Sequence, residues 1–446
     1  MFFVLGDYRV EGRGAAEIAA SVESGVGSGA LAPGDPLPPM RELAAELGVN
    51  PNTVAAAYRT LRERGVIETA GRRGSRVRER PATAPRESVR VTPPAGGLDI
   101  STGNPDPALL PPLGPALAAS TDAAARAPVL YGAPDTDPAL AALARAALDA
   151  DGVAAGPLAV TSGSLDAIER VLGAHLRPGD PVAVEDPGWG SLLDLIPALG
   201  LRPLAVALDD EGPLPGELER ALGQGARAVV VTSRAQNPTG AAVTAARARE
   251  LRAVLAAREG TLLIEDDHGH GIVDLPLHPL SCATRHWALV RSVAKAYGPD
   301  LRLAVLTGDR LTVDRVRGRQ RLGPGWVSHL LQRAVAHLWQ SGAVDAARVA
   351  GSYGARRTAL LDALAERGVA ARGRSGMNVW VPVRDETGTV ARLLQAGWAA
   401  APGARFRLAS PPGVRLTVSP LTPPGIDRLA DDMAAALRTE RAGRYD

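Results

Sequence analysis

Cysteine is almost missing from this chain: Cys282 is the only one in 446 residues. No intrachain disulfide can form, and a reducing, cytoplasmic setting is expected. Aromatic residues make up only 3%, so each tryptophan in a loop draws notice. No apolar run reaches the length of a membrane span, and Asp7 and Arg9 interrupt the opening MFFVLGDYRV too early for a signal peptide. The scarcest informative residue is lysine. Lys295 is the only one, so 49 of the 50 basic residues are arginine. Alanine, glycine and arginine abound, as in a GC-rich coding bias, and arginine stands wherever a positive charge suffices. A guanidinium stays protonated, whereas a lysine amine can lose its proton and attack a carbonyl. One retained lysine therefore points to amine chemistry, with a surface lysine kept by chance as the alternative.

What is present reads as two globular bodies. The length exceeds one ordinary core, and the chain is 46% hydrophobic and 22% charged. Residues 13–28 carry Ile18, Val22 and Val26 at helical spacing, residues 39–47 read as a second helix, and residues 51–65 as a third. Asn50 is placed to cap the third helix, with Pro51 at its first position and Gly65 as its stop. The stretch VIETAGRRGSRVR reads as a hairpin. Residues 71–90 hold seven arginines and two glutamates, a net +5, although the whole chain is only +2. Residues 79–97 are rich in proline, charge and glycine and read as a linker. From 98 to 440, short β-type runs (PVAVE, AVVVTS, TLLIEDD) alternate with helical stretches, the pattern of βα units on a largely parallel sheet.

Helix, helix, turn, helix and basic wing is the order of a winged helix-turn-helix, whose third helix would enter the major groove of double-stranded DNA by its N-terminal end. Asn50, Asn52 and Thr53 sit at that end. Arg41 is suited to a phosphate, and Arg72, Arg73 and Arg76 of the wing to the flanking backbone or minor groove. A three-helix protein-interaction module with a solvated basic loop is the alternative. The stretch LPPMRELAAELGVNPNTVAAAYRTLRERGVIETAGRRGSRV resembles a GntR-type DNA-binding domain, which gives a domain over residues 1–78. The chain departs from many relatives at Pro51, where a basic residue is common.

In the second body, Lys295 follows the apolar run ALVRSVA, with Ser292 before it and Arg302 after it as candidate phosphate ligands. Ser162, Gly163 and Ser164 lie between a strand and an amphipathic helix, where backbone N–H groups cradle a phosphate. Trp189 in EDPGWGS is placed to stack on a flat ring or, otherwise, to pack. Asn237 in AQNPTG can donate to a ring oxygen or simply mark an Asn-Pro turn. Asp266 ends the run TLLIEDD, where a carboxylate can face a crevice. These are the groups pyridoxal 5'-phosphate asks for: an amine, phosphate donors, a stacking ring, a donor to the phenolate oxygen, and an anion on the pyridine nitrogen. A metal site on Asp266, His268 and His270 is the rival reading; the expectation is no metal.

The order of these segments resembles the fold-type I aminotransferases over about residues 98–440, an α/β fold. That resemblance implies a Schiff base on Lys295 and phosphate contacts at Ser162, Gly163, Ser164, Ser292 and Arg302. It adds Tyr131 as the tyrosine that reaches the phosphate of a partner subunit, and Arg415 as the grip on an α-carboxylate, for which its bidentate fork is suited. The family usually has a tyrosine at the position of His268, bonded to the phenolate oxygen; histidine can still donate. The fusion as a whole resembles the MocR family. It implies a homodimeric transcription regulator that senses pyridoxal phosphate or an amino compound through an external aldimine and binds a DNA operator. A working aminotransferase with an accessory DNA-binding domain, and a domain kept only as a dimerisation scaffold, are the alternatives.

Overall fold

The structure, a computed structural model, describes residues 8–28, 30–32, 34–63, 66–69, 74–77, 86 and 92–442. It separates into two units, one built on residues 1–85 with the short segments 176–182 and 194–203, the other on the remainder.

The N-terminal part contains three helices, α1 (Ala15–Ser28), α2 (Met40–Leu47) and α3 (Pro51–Glu63), then an antiparallel pair, β1 (Ile67–Thr69) and β2 (Ser75–Val77), with Ile67 opposite Val77. Val54, Ala57, Tyr58 and Leu61 recur along one face of α3. They pack with Ile18 and Val22 of α1, Leu43 of α2, Ile67 and Val77 into one core. Gly48, at φ 64°, ends α2 and returns its N–H to the carbonyls of Ala44 and Ala45. The side-chain oxygen of Asn50 accepts the N–H of Asn52 at 2.9 Å, which caps α3. The expected helix stop at Gly65 lies outside the described residues.

The second part contains β3 (Leu98–Asp99), β4 (Leu158–Thr161), β5 (Pro181–Asp186), β6 (Arg202–Asp209), β7 (Gly212–Pro213), β8 (Ala228–Thr232), β9 (Leu262–Asp267), β10 (His286–Ser292) and β11 (Ala304–Gly308). All but β3 form an eight-stranded sheet in the order β4-β11-β10-β9-β8-β5-β6-β7. Neighbours β8, β9 and β10 run parallel. Strand β11 is antiparallel to both β10 and β4. The sheet is therefore mixed rather than uniformly parallel on that side. Every residue of β8 is buried, as expected for a strand covered on both faces. A smaller antiparallel sheet joins β12 (Asn378–Pro382), β15 (Gly413–Thr417) and β14 (Ala401–Pro402), while β13 (Trp398–Ala399) pairs in parallel with β3. Among the described residues no helix is long and apolar enough to cross a membrane.

Candidate ligand site and DNA interface

The C-terminal ends of β9 and β10 and the turns after β4, β5 and β8 converge on a cavity of about 340 Å³, a volume suited to a small molecule. Its lining includes Gly163, Ser164, Trp189, Asn237, Asp266, His268, Ser292, Lys295, Arg302 and Arg415. The structure thus brings together ten of the residues that the sequence singles out. It adds Gly103, Asn104 and Asn378, which sequence reasoning missed. Asn104 lies in an irregular loop, and Asn378 opens a strand without a flanking signature.

Lys295 sits on a one-turn helix, Ala294–Tyr297, directly after β10. Its Nζ donates to the carbonyl of Gly103 at 2.7 Å. Gly103 adopts φ 64°, and a Cβ there would lie 3.3 Å from the Arg415 guanidinium. Gly163 is similarly constrained, with φ 96° and Arg302 Nη2 2.9 Å from the site of a Cβ. Arg302 Nη2 also donates to the carbonyl of Ser162 at 3.4 Å. Ser162 itself is exposed and flanks the cavity instead of lining it. The hydroxyl of Ser164 and Oδ1 of Asp266 are buried without a hydrogen-bond partner. Two such groups facing one cavity mark places where a ligand would complete the bonding.

His268 lines the cavity but is held by the chain itself. Its Nδ1 lies 2.8 Å from Asp266 Oδ2 and its Nε2 2.7 Å from the carbonyl of Ala235. Both ring nitrogens are engaged within the chain, so the imidazole orients Asp266 rather than donating into the cavity. Burial alone would lower the His268 pKa, but the Asp266 carboxylate outweighs it and the net direction is upward. Arg415, buried, donates to Asn237 Oδ1 at 3.0 Å and to the carbonyl of Ser101, and its guanidinium lies 4.8 Å from the Phe406 ring centre. A guanidinium offers only donors. The oxygen of Asn237 must therefore face Arg415, and its amide nitrogen is the group left to donate elsewhere.

Behind this site, Asp267 accepts from Arg234 at 2.9 and 3.0 Å and from Arg291 at 2.9 Å. Burial would raise its pKa, yet the two guanidinium groups hold it well below the ordinary carboxylate range. Among the described residues Asp151, Asp267 and His270 stand at metal-ligand spacing; the trio Asp266, His268 and His270 does not assemble. Arg291 donates to Asp151 as well as Asp267, so the first cluster reads as a buried ion network.

Tyr131 is 94% exposed, touches Trp326 edge-on, and is not part of the cavity of its own chain. In the N-terminal unit, Arg41, Asn50 and Asn52 are exposed and Thr53 half-buried at the start of α3. Arg76 is committed within the wing: its guanidinium meets Glu68 at 2.6 Å. A reach of Arg76 to the flanking DNA backbone or minor groove would have to compete with this ion pair. Arg72 and Arg73 lie outside the described residues.

The family description "Aminotransferase class I and II" matches residues 95–433, and "Bacterial regulatory proteins, gntR family" matches residues 15–77. The chain is 40% identical over 433 residues to the vitamin B6 salvage pathway transcriptional repressor PtsJ of Salmonella typhimurium, covering 96% of this chain and 99% of that one. The chain belongs to the MocR-type transcriptional regulators. This MocR-type regulator is also 31% identical to the pyridoxine biosynthesis transcriptional regulator PdxR of Corynebacterium glutamicum, over 57% of each chain. It is 28% identical to the regulator TauR of Rhodobacter capsulatus, over 80% of each. Its larger unit shares the fold of the alpha-aminoadipate aminotransferase LysN of Thermus thermophilus (TM-score 0.67, 23% identity, 77% of this chain and 94% of that one). The aspartate aminotransferase of the same organism is equally similar (TM-score 0.67, 24% identity, 76% and 92%). That fold typically binds pyridoxal phosphate.

Proposed function

We propose that this regulator holds pyridoxal phosphate on Lys295, and that occupancy of the site by this cofactor, or by an amino compound joined to it, sets the affinity of a dimer for its DNA operator. The observation that carries the reading is the meeting of the chain's only lysine with two buried groups lacking partners, Asp266 Oδ1 and the Ser164 hydroxyl, in one cavity. When bound, the cofactor supplies an aldehyde that condenses with an amine and a protonated pyridine that withdraws electrons. Gly163, Ser164, Ser292 and Arg302 would hold its phosphate, with Ser162 at the margin. Trp189 would stack on the ring, Asn237 would donate to the phenolate oxygen, and Asp266, held by His268, would keep the pyridine nitrogen protonated. Arg415 now contacts neutral acceptors, Asn237 Oδ1 and the Ser101 carbonyl. A ligand carboxylate would replace them with a stronger charge-assisted pair.

The exposure of Tyr131 supports a role across a dimer interface, and the near full-length likeness to PtsJ supports repression of vitamin B6 salvage genes. We read residues 1–78 as the DNA reader, 79–97 as the linker and 98–440 as the sensor. A ligand moves DNA affinity only as far as it binds the two states of the dimer differently. The test is Lys295→Ala. Wild-type protein is expected to turn yellow with pyridoxal phosphate and to be tagged at one site by borohydride, and the variant to do neither. A yellow variant would sink the assignment. The presence of Lys295, Asp266 and Arg415 in one cavity also suits a working aminotransferase. Repeated turnover of an amino acid and a keto acid would favour that reading, and a single half-reaction the regulator.

A further inference from the structure

The stretch Arg405–Ser410, which leads into β15, is held largely by polar contacts. Asp186, at the end of β5 and 3% exposed, accepts the backbone N–H groups of Leu408, Ala409 and Ser410 at 2.7–2.9 Å, together with the Ser410 hydroxyl at 2.8 Å. Three consecutive N–H groups around one carboxylate form an anion nest, here filled by the chain's own side chain. Two residues on, Gly188 donates its N–H to the carbonyl of Phe406 at 2.8 Å. Trp189 follows, at the cavity. Phe406 in turn lies under the Arg415 guanidinium. From the other side, Glu386 accepts Ala404 N–H at 2.8 Å and Arg407 Nη2 at 3.1 Å. Finally, Arg86, from the segment between the two matched domains, donates to the carbonyl of Arg407 at 3.0 Å.

We propose that Asp186 is a positioning residue that locks the Trp189 turn to the Arg405–Ser410 loop, and that Arg86 makes this loop the point where occupancy of the cavity is felt by the linker. Two of the cavity's walls, Trp189 and Arg415, are each one contact from the loop. The linker residue grips the same loop between the carbonyl that holds Gly188 and the N–H groups that hold Asp186. A shift of either wall on ligand binding must therefore strain or tighten the bond to Arg86. The carboxylate at 186 matters because a single rigid anion satisfies four donors; a neutral side chain satisfies fewer, and the loop then moves independently of the turn. This inference rests on the reading of the cavity as a pyridoxal phosphate site.

The test is hydrogen exchange by mass spectrometry on the full chain with and without pyridoxal phosphate, alongside cofactor binding by absorbance. In wild-type protein the cofactor is expected to slow exchange in peptides spanning 186–190, 403–411 and the Arg86 region. Arg86→Ala is expected to bind the cofactor within about twofold of wild type and to keep the slowing at 403–411 while losing it in the linker peptide. Asp186→Asn is expected to bind about tenfold more weakly, since charge-assisted bonds are lost, and at saturating cofactor to slow neither loop nor linker. A linker peptide that ignores the cofactor in wild-type protein, or responds equally in Asp186→Asn, overturns the inference while the cofactor site stands. A wild-type protein that gives no absorbance change overturns both.

Discussion

On the proposed reading, Asp266 is a side chain held for a ligand at a cost in stability. One of its oxygens meets His268 and the other is buried without a partner, a state that costs about 1–3 kcal/mol. Asp266→Asn removes the charge and keeps the shape. It is expected to melt no lower than wild type without cofactor, yet to bind pyridoxal phosphate about tenfold more weakly, near 1.4 kcal/mol. Thermal melts and absorbance titration read the two effects separately, and unchanged affinity would assign the ring nitrogen elsewhere. At this scale the sequence was informative wherever residue type carries chemistry. Lys295 stood out by rarity, and Asp266 and Asn237 by their place at strand ends. It singled out His268 but not the partners of its ring, because the second of them depends on the path of residue 235, thirty-three positions away. It was silent on Asn378 and Gly103, whose importance comes only from what the fold places beside them.

Among the elements, α3 and the wing present the clearest contrast. The spacing of Val54, Ala57, Tyr58 and Leu61 and the Asn50–Pro51 start made α3 readable, and the structure repeats both. Asn50→Ala is expected to cost about 1 kcal/mol and to speed hydrogen exchange in the first turn of α3. The wing was legible as a hairpin, but the partner of Arg76 was not. Counting arginines gave a basic wing, and a count cannot say that Glu68, directly across the strand pair, neutralises Arg76. Glu68→Ala releases that guanidinium and removes a negative charge from the wing. It is expected to tighten binding to a duplex selected from random sequence and to steepen the salt dependence by about one unit of slope. An unchanged slope would place Arg76 away from phosphate. The large sheet was likewise read as βα units, correctly for β8, β9 and β10. The antiparallel entry of β11 escaped notice because strand direction leaves no mark on a short buried apolar run.

Taken whole, the larger unit buries carboxylates that its core does not fully pair. Burial pushes Glu185 and Glu265 each up to about 7. Glu265 accepts Leu280 N–H at 2.8 Å with one oxygen, and its other oxygen has no partner. A carboxyl whose pKa is higher folded than unfolded stabilises the fold below the unfolded value, and that stability is lost as pH rises through the folded value. Burial lowers His175 and His270 each to about 4, which acts with the opposite sign below about pH 6.5, so melting temperature is expected to fall from about pH 6.5 to pH 8. Glu265→Gln is expected to remove roughly half of the fall, on the order of 3 kcal/mol at most. Melts across that range check it, and a slope untouched by the variant would assign the effect to other groups. Asp267 acts with the opposite sign, its contribution being lost only as pH falls into the acid range.

A chain with one ε-amine also reports on itself. Any reagent that modifies amines finds a single side-chain target per molecule, at position 295, so labelling of the peptide that carries it reports directly whether that amine is free. Its shielding by pyridoxal phosphate and its release by a candidate amine, followed by peptide mass as candidates are added one by one, turn an accident of codon usage into a gauge that needs neither an operator nor an assay of turnover.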